Sequence, residues 1–291
     1  IPELDRTAKG VSLMNILPLA QDEKITAALP VHDFGAGKYL IMITRKGRIK
    51  RVELGVFANV RPSGLIAVNL EQGDSLGWVK MTQGHEDIIL ISQQAKGIRF
   101  SEEDVRPMGR TAAGVNAMRL DSWDQLAGAD VVPSSDGVPS SDGVSSSDGD
   151  PANDEAASGD TLLIITEKGY GKRTPLEEYR RQGRYGQGVR AMNLDPNRTG
   201  AIVAARVVTP KDEVTLISTG GILLRMSAAH ISSQGRASQG VRVMDVRDGD
   251  TVASVAVIRE TRQAVMDAEM NGNDGQVTSD ERRVMNEERS S

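Results

Sequence analysis

The chain carries a recurring pattern of short apolar runs, each ending in a hydroxyl side chain and followed at once by a turn. Four of these runs align, at 39–44 (YLIMIT), 88–92 (IILIS), 162–166 (LLIIT) and 214–218 (VTLIS). Their length and β-branched content predict strands. Two polar or small residues follow, and then Gly47, Ala95, Gly169 or Gly221, small residues that suit the left-handed backbone of a hairpin turn. Four residues beyond that position stands an arginine in every copy: Arg51, Arg99, Arg173 and Arg225.

A second half completes each copy. Gly64, Gly114, Gly188 and Gly240 lie 13, 15, 15 and 15 residues after the arginines, and each introduces an apolar segment: LIAVNL, VNAMRL, VRAMNL or VRVMDV. Polar turns (EQGDS, LDPNRT, RDGDT) lead on to further apolar strands such as LGWVKM, AIVAARVV and VASVAVI. A fifth copy of this half opens the chain, as Gly10 followed by VSLMNIL, QDEK and ITAALPV. The unit is thus about 50 residues with four short strands, and the arginines lie 48, 74 and 52 residues apart. A fixed register points to an all-β, propeller-like ring of stacked blades, because one blade cannot bury both of its faces. Two β-sandwiches would give similar strand spacing without a repeated register. The opening copy lacks its first half, so the chain is expected to begin inside a blade of a longer polypeptide.

Aromatic residues make up only 3% of the 291, so the core must be assembled from Val, Ile, Leu, Met and Ala. No apolar run approaches the ~18 residues of a membrane span, and no basic-then-apolar leader precedes the repeat; a cytosolic protein is expected. The absence of cysteine excludes disulfides and thiolate metal sites. The net charge of −5 is unevenly distributed. Residues 121–160 hold ten acidic and no basic side chains, residues 260–291 hold eight acidic and four basic, and the rest carries +9. A basic repeat body with acidic appendages suits a polyanionic partner.

Catalytic chemistry is not legible in the repeat. His32, His85 and His230 lie far apart in sequence, without the spacing of a metal site. Neither a GxxxxGK[ST] loop nor a GxSxG elbow is present. Gly35-Ala36-Gly37-Lys38 resembles a phosphate loop but runs into a strand, so it reads as a hairpin turn. The loop at 182–188 (QGRYGQG) is answered by 234–240 (QGRASQG), which makes it an ordinary element of the repeat. Flexible basic loops of this kind can follow a DNA backbone.

A constant offset from a turn puts a strand residue on the same face in every copy. Arg51, Arg99, Arg173 and Arg225 should therefore recur at equivalent places, with Arg48, Lys50 and Lys172 reinforcing two copies. Arg110, Arg184, Arg190, Arg236 and Arg242 add charge near the second glycine. Two readings stay open for the repeated arginine. It contacts phosphates of double-stranded DNA on a curved basic rim, or it pairs with a carboxylate of the neighbouring blade. A reading of another class, a protein-binding propeller scaffold, predicts DNA affinity that is negligible or insensitive to salt.

The segments IPELDRTAKGVSLMNILPL and DEKITAALPV, with SQQAKGIRFSEEDVRPMGRTAAGVNAMRL and TEKGYGKRTPLEEYRRQGRYGQGVRAMNL, closely resemble the C-terminal domain of bacterial DNA gyrase A subunits over residues 1–259. The resemblance implies a β-pinwheel, a propeller-like ring whose blades exchange strands, with an outer edge that wraps DNA in support of ATP-dependent negative supercoiling. It implies as partners the breakage-reunion part of the gyrase A protein together with the gyrase B protein, in an A2B2 assembly at the bacterial nucleoid. The catalytic tyrosine and the ATP and Mg2+ sites of such an enzyme would lie elsewhere, and no cofactor is expected in this chain. The family's glutamine-arginine-glycine box belongs to a first blade upstream and is not assigned to 182–188. The related domain of the topoisomerase IV DNA-binding subunit is the nearest rival, and the NILPL…ITAALPV junction favours gyrase.

Residues 131–159 (VVPSSDGVPSSDGVSSSDGDPANDEAASG) bury too little apolar area to offset their ordering entropy. They are expected to form a flexible insertion between strands of the third complete blade, and they lack a calcium-loop pattern. From residue 260 to 291 the alternation is lost, and a polar, charged and largely disordered tail is expected. An acidic tail beside a basic body can occupy a DNA surface. Deleting residues 260–291 should tighten DNA binding at low salt, as read by fluorescence anisotropy; unchanged affinity rejects the idea.

Overall fold

The computed structural model describes residues 23, 25–31, 33–35, 37–59, 61, 64–132 and 159–259. The opening half-copy up to residue 22, His32, most of the Ser/Asp/Gly insertion (133–158) and the tail 260–291 lie outside the described residues.

Each apolar run becomes a central strand, paired along both of its edges. In the first unit β1 (Tyr39–Thr44) turns into β2 (Arg48–Glu53), and β3 (Leu76–Thr82) pairs with the other edge of β1. The second unit has β4 (Asp87–Ser92), β5 (Lys96–Ser101), the two-residue β6 (Val115–Asn116) and β7 (Leu126–Val132). The third has β8 (Thr161–Thr166), β9 (Tyr170–Pro175), β10 (Val189–Arg190) and β11 (Ile202–Val208). The fourth has β12 (Glu213–Ser218), β13 (Leu223–Ser227), β14 (Val241–Arg242) and β15 (Val252–Ile258). The turn residues Gly47, Ala95, Gly169 and Gly221 all adopt positive φ, as the hairpin requires.

The sheets run β3-β1-β2-β6, β7-β4-β5-β10, β11-β8-β9-β14 and β15-β12-β13. A short strand from each unit thus closes the sheet of the unit before it, which is the exchange the pinwheel implies. The inner strands β3, β7, β11 and β15 touch in succession, so four blades form a propeller-like all-β arrangement with β6, β10 and β14 at its outer edge. The repeated second glycine makes the exchange possible. A Cβ on Gly114 or Gly188 would stand 2.5 Å from the carbonyl oxygen of Ile49 or Gly97 on the strand being closed.

Three expectations are corrected. ITAALPV at 25–31 forms no strand, and neither does LIAVNL at 65–70, because no preceding sheet stands beside them among the described residues. The insertion does not interrupt the third blade. Val131 and Val132 extend β7, where Val132 is buried, so the insertion links the second sheet to the third.

The core lies between blades, and strand parity sorts it. Ile88 and Leu90 face Ile41, Ile43 and Trp78 of the first blade, whereas Ile89 and Ile91 face Leu162 and Ile164 of the third. Leu163 and Ile165 turn the other way, onto Val214 and Leu216. The sandwiched runs are therefore apolar throughout. In β12 only alternate positions are buried, Val214 and Leu216 inward, with Thr215 and Ile217 on the open face. Each fully buried Ile or Leu contributes on the order of 1.5–3 kcal/mol.

The seams are stitched by the repeated arginine. Each second strand but the last faces, in the next unit, a 3-10 turn that offers a carbonyl, within it or just after it, to a side-chain donor. Arg51 Nη1 donates to the Glu102 carbonyl (3.0 Å), Arg99 Nη1 to that of Leu176 (3.3 Å), and Arg173 Nε to that of Ile231 (2.8 Å). The same residues accept through their own carbonyls, from the N–H groups of Met108 (2.8 Å), Gln182 (2.9 Å) and Gln234 (2.8 Å). Arg225 has no following unit among the described residues; it pairs instead with Glu213 of its own hairpin, and its side chain is 57% exposed. Buried carboxylates reinforce the seams, Asp87, Glu102 and Asp130 among them, the last pairing with Lys80 (2.7 Å) and accepting from the Val207 N–H (3.0 Å). Asp87 accepts from Arg99 Nε (2.8 Å) and pairs with Arg181 (2.9 Å). Glu102, with its carboxyl pushed up by burial, accepts from Thr82 Oγ1 (2.7 Å) and the Glu86 N–H (2.9 Å).

Lys50 and Lys172 are corrected as DNA ligands, since they are 1% and 0% exposed and cannot reach a phosphate. Lys172 Nζ donates to the carbonyls of Gly235 (2.7 Å), Arg236 (2.7 Å) and Ser238 (3.2 Å), and Lys50 Nζ donates to those of Ala67 and Arg110. Burial pushes the Lys172 ammonium down to about 8, with Glu178 opposing and Arg236 adding to the shift. Lys172→Met leaves those carbonyls without a donor and should cost about 2–3 kcal/mol in urea unfolding at pH 7. Because the folded value lies below the unfolded one, the unfolded chain holds the extra proton between about pH 8 and 10.4. Wild-type stability therefore rises through that window relative to the variant, and the deficit should widen. A Met variant as stable as wild type, or a flat difference across the window, contradicts the assignment.

Candidate nucleic-acid interface

The chain between each 3-10 turn and the next inner strand runs along the outer edge, crossing onto the preceding blade. Three such segments, 105–119, 179–193 and 231–244, follow one another around the arc and contain nine arginines and no aspartate or glutamate. Their geometry repeats. Asn69, Arg119 and Asn193 each donate a backbone N–H to the next segment, at the carbonyls of Ala112 (3.5 Å), Gly186 (3.0 Å) and Ser238 (3.0 Å). Arg236 Nη1 donates to the Arg190 carbonyl (2.9 Å), and Arg184 donates likewise to Asn116 and, from Nε, to Asp104 (3.3 Å). Arginines therefore tie the segments down while keeping part of each guanidinium at the surface.

The expected site residues separate into two populations. Arg51 is buried, and Arg99 and Arg173 are committed to neighbouring-blade carbonyls, so these three act at seams. The staple was expected on a carboxylate, and Arg51 does pair with the Glu102 carboxylate of the next unit (3.9 Å); for Arg99 and Arg173 the neighbouring partner is a carbonyl in or just after the 3-10 turn. Arg48 bridges the groups, donating to the carbonyls of Ala113 (3.3 Å) and Gly114 (2.7 Å) and pairing with Glu71 (2.7 Å). Arg110, Arg184, Arg190, Arg236 and Arg242 all lie on the rim segments. Arg190 is exposed, and Arg242 is exposed beside Asp245 (3.0 Å). The Tyr170 hydroxyl, hydrogen-bonded by Arg198 (3.0 Å) with Arg242 near its ring, is held below the ordinary tyrosine range.

Arg106, Arg119 and Arg180 are exposed on the same segments and escaped the sequence reading, as did Arg181, which reaches Asp87. Their signal was available: each rim segment is an acid-free stretch in a chain with more acidic than basic residues. The arrangement offers a curved row of arginines on segments with no acidic residue of their own; Arg242 and Arg181 find counter-charges outside them, in Asp245 and Asp87, and the rest suits a polyanion held by its backbone. Among the described residues no group of three or more His, Cys, Asp or Glu is gathered as a metal site would be, and no helix is long and apolar enough to cross a membrane.

A family model for the DNA gyrase C-terminal domain, a β-propeller, matches residues 1–32, 38–80, 86–133, 160–209 and 212–259. The DNA gyrase A subunit of Staphylococcus epidermidis is 37% identical over 261 residues, covering 89% of this chain and 27% of that protein. Its counterpart from Synechocystis is 37% identical over 273 residues, covering 89% and 31%. The chain therefore spans less than a third of the length of these curated relatives. Among solved structures, a DNA gyrase A C-terminal domain superposes with a TM-score of 0.69 at 25% identity, covering 87% of this chain and 76% of its own. The C-terminal domain of a DNA topoisomerase IV shares the fold with a TM-score of 0.76 at 24% identity, covering 94% and 78%. With residues matched in every unit of the repeat, the chain belongs to the DNA gyrase C-terminal domain family.

Proposed function

We propose that this chain binds double-stranded DNA along its outer edge and wraps it, as the C-terminal part of a gyrase A protein. The observation that carries this reading is the run of three consecutive rim segments with nine arginines and no acidic residue. Cations spaced along a curved path favour a bent duplex, because each neutralised phosphate releases counterions. Bending 20–30 bp by 40–90° costs on the order of 1–6 kcal/mol, which several such phosphate pairings offset. Phosphate contacts position a duplex without reading its bases, so sequence preference should be weak. In a complete enzyme the wrapped segment would be presented to the breakage-reunion part of the gyrase A protein. The gyrase B protein would use ATP and Mg2+ to drive negative supercoiling in the bacterial cytoplasm.

A second reading, the corresponding domain of a topoisomerase IV subunit, is favoured by the TM-score of 0.76 with that protein's domain. The two differ in outcome: chiral wrapping that supports supercoiling, or DNA binding that does not.

Ligation of nicked circular DNA bound to the full chain separates them. Wrapping shifts the linking-number distribution in proportion to protein bound; binding without a shift favours the second reading. The role of the rim arginines is tested by replacing Arg119, Arg190 and Arg242 together with glutamate. Affinity should fall, and the slope of log K against log salt should flatten by about 0.9 for each phosphate no longer neutralised. Stability should move by no more than about 0.5 kcal/mol per exposed site. Arg173→Ala should do the reverse, losing stability with little change in salt slope. An affinity unaffected by the triple change, or insensitive to salt, points to a protein-binding scaffold.

A further inference from the structure

The rim loops 109–112, 183–186 and 235–238 occupy equivalent places, but they are not alike. In the first and last a tight turn closes, with Ala112 N–H donating to the Gly109 carbonyl (3.2 Å) and Ser238 N–H to that of Gly235 (3.1 Å). Each of these two is drawn inward by a buried ammonium, Lys50 beneath Arg110 and Lys172 beneath Gly235, Arg236 and Ser238. The second blade has Ile98 at that place, fully buried and without a donor. The loop above it has no cation to gather its carbonyls. This loop turns as well, at Arg184–Tyr185, but its Tyr185 N–H donates to the Ala117 carbonyl (2.8 Å) and Tyr185 adopts a φ of 67°. Its equivalents Thr111 and Ala237 stay out of the left-handed region.

A bulky residue held at positive φ is strained, and such strain persists where the surroundings impose it or a site uses it. Here the ring is directed to solvent rather than to the core. Tyr185 is 50% exposed and borders a cleft of about 280 Å³ lined also by Lys46, Arg48, Asn116 and Arg119. The acidic residues of the cleft are engaged: Glu71 pairs with Arg48 (2.7 Å), Asp121 with Lys96 (2.8 Å), and Asp124 accepts from the Gln125 N–H (2.8 Å). The cleft is too small to enclose a drug-sized ligand and is open to a strand lying along the rim.

Resting on the DNA-wrapping reading, we propose that Tyr185 is a wedge that enters the minor groove of the wrapped duplex and unstacks one base step. A protein that holds DNA on a curved edge must supply bending free energy. Inserting a ring at a flexible pyrimidine–purine step concentrates the bend where it costs least. Thr111 and Ala237 offer no ring, so the kink has one address among these three loops. Exposed Arg119 beside the cleft holds the backbone next to it.

Permanganate probing of thymines in a duplex bound to the full chain tests the wedge, alongside affinity and its salt dependence. Tyr185→Phe keeps the ring, and Tyr185→Gly removes it while relieving the positive φ. Wild type and the Phe variant should expose a reactive thymine at one position of the bound duplex. The Gly variant should lose that reactivity, bind roughly five- to a hundredfold more weakly, keep the salt slope and melt no lower than wild type. A Gly variant that binds as tightly with the wild-type pattern overturns the wedge and leaves wrapping intact. So does one that loses stability along with binding, since the ring would then be packing. Wild-type protein that fails to bind the duplex overturns the wrapping reading, and the wedge with it.

Discussion

No blade of this protein is complete by itself, and the rest of the structure follows from that constraint. Each sheet ends outward in a strand with unpaired backbone groups, and exposed edges of this kind are a liability. The next unit covers the edge with a two-residue strand, as Val115–Asn116 covers the strand that carries Arg51. It also presents a 3-10 turn, and the arginine of the preceding blade donates to a carbonyl in or just after that turn. Backbone and side chain thus cross the seam together, over a core built by strand parity from residues of both blades. The register repeats because each stitch depends on the same offset from the same turn.

That constraint divides the positive charge into two populations. The guanidinium of Arg51 and the ammonium groups of Lys50 and Lys172 are spent on carbonyls inside the arc. The charges of Arg106, Arg119, Arg190 and Arg242 remain at the surface because the rim segments cross over their neighbours and leave those side chains outside. Buried carboxylates sit at seams, where Asp87 and Glu102 meet donors. The acid-free rim is therefore the outer counterpart of seams that use both signs of charge. Charge that would be averaged away in a whole-chain count is sorted by the fold into an interior network and an exterior row.

A single buried position also shapes the surface above it. Lys50, Ile98, Lys172 and Leu224 are equivalent residues on the four second strands. A lysine there gathers the carbonyls of the crossing loop, whereas over Ile98 the loop turns without a donor beneath it and with Tyr185 at positive φ. The features of the rim are thus set partly from beneath.

The sequence by itself determined the repeat, the strands, the turn residues and the family, because these depend on local spacing and on backbone conformations that glycine and short β-branched runs impose. Runs such as IILIS and LLIIT were legible as strands sandwiched on both faces, since nothing polar interrupts them. It left the arginines of the repeat undecided between phosphate and neighbouring blade. Only the tertiary structure could decide, because a constant register fixes the face of a strand but not what packs against it. The same holds for Lys50 and Lys172, which look like surface charge until the crossing loops of the next unit close over them. The rim itself was written in the chain as stretches without acid, but their place at the outer edge comes from the exchange of strands, which brings segments of successive units side by side.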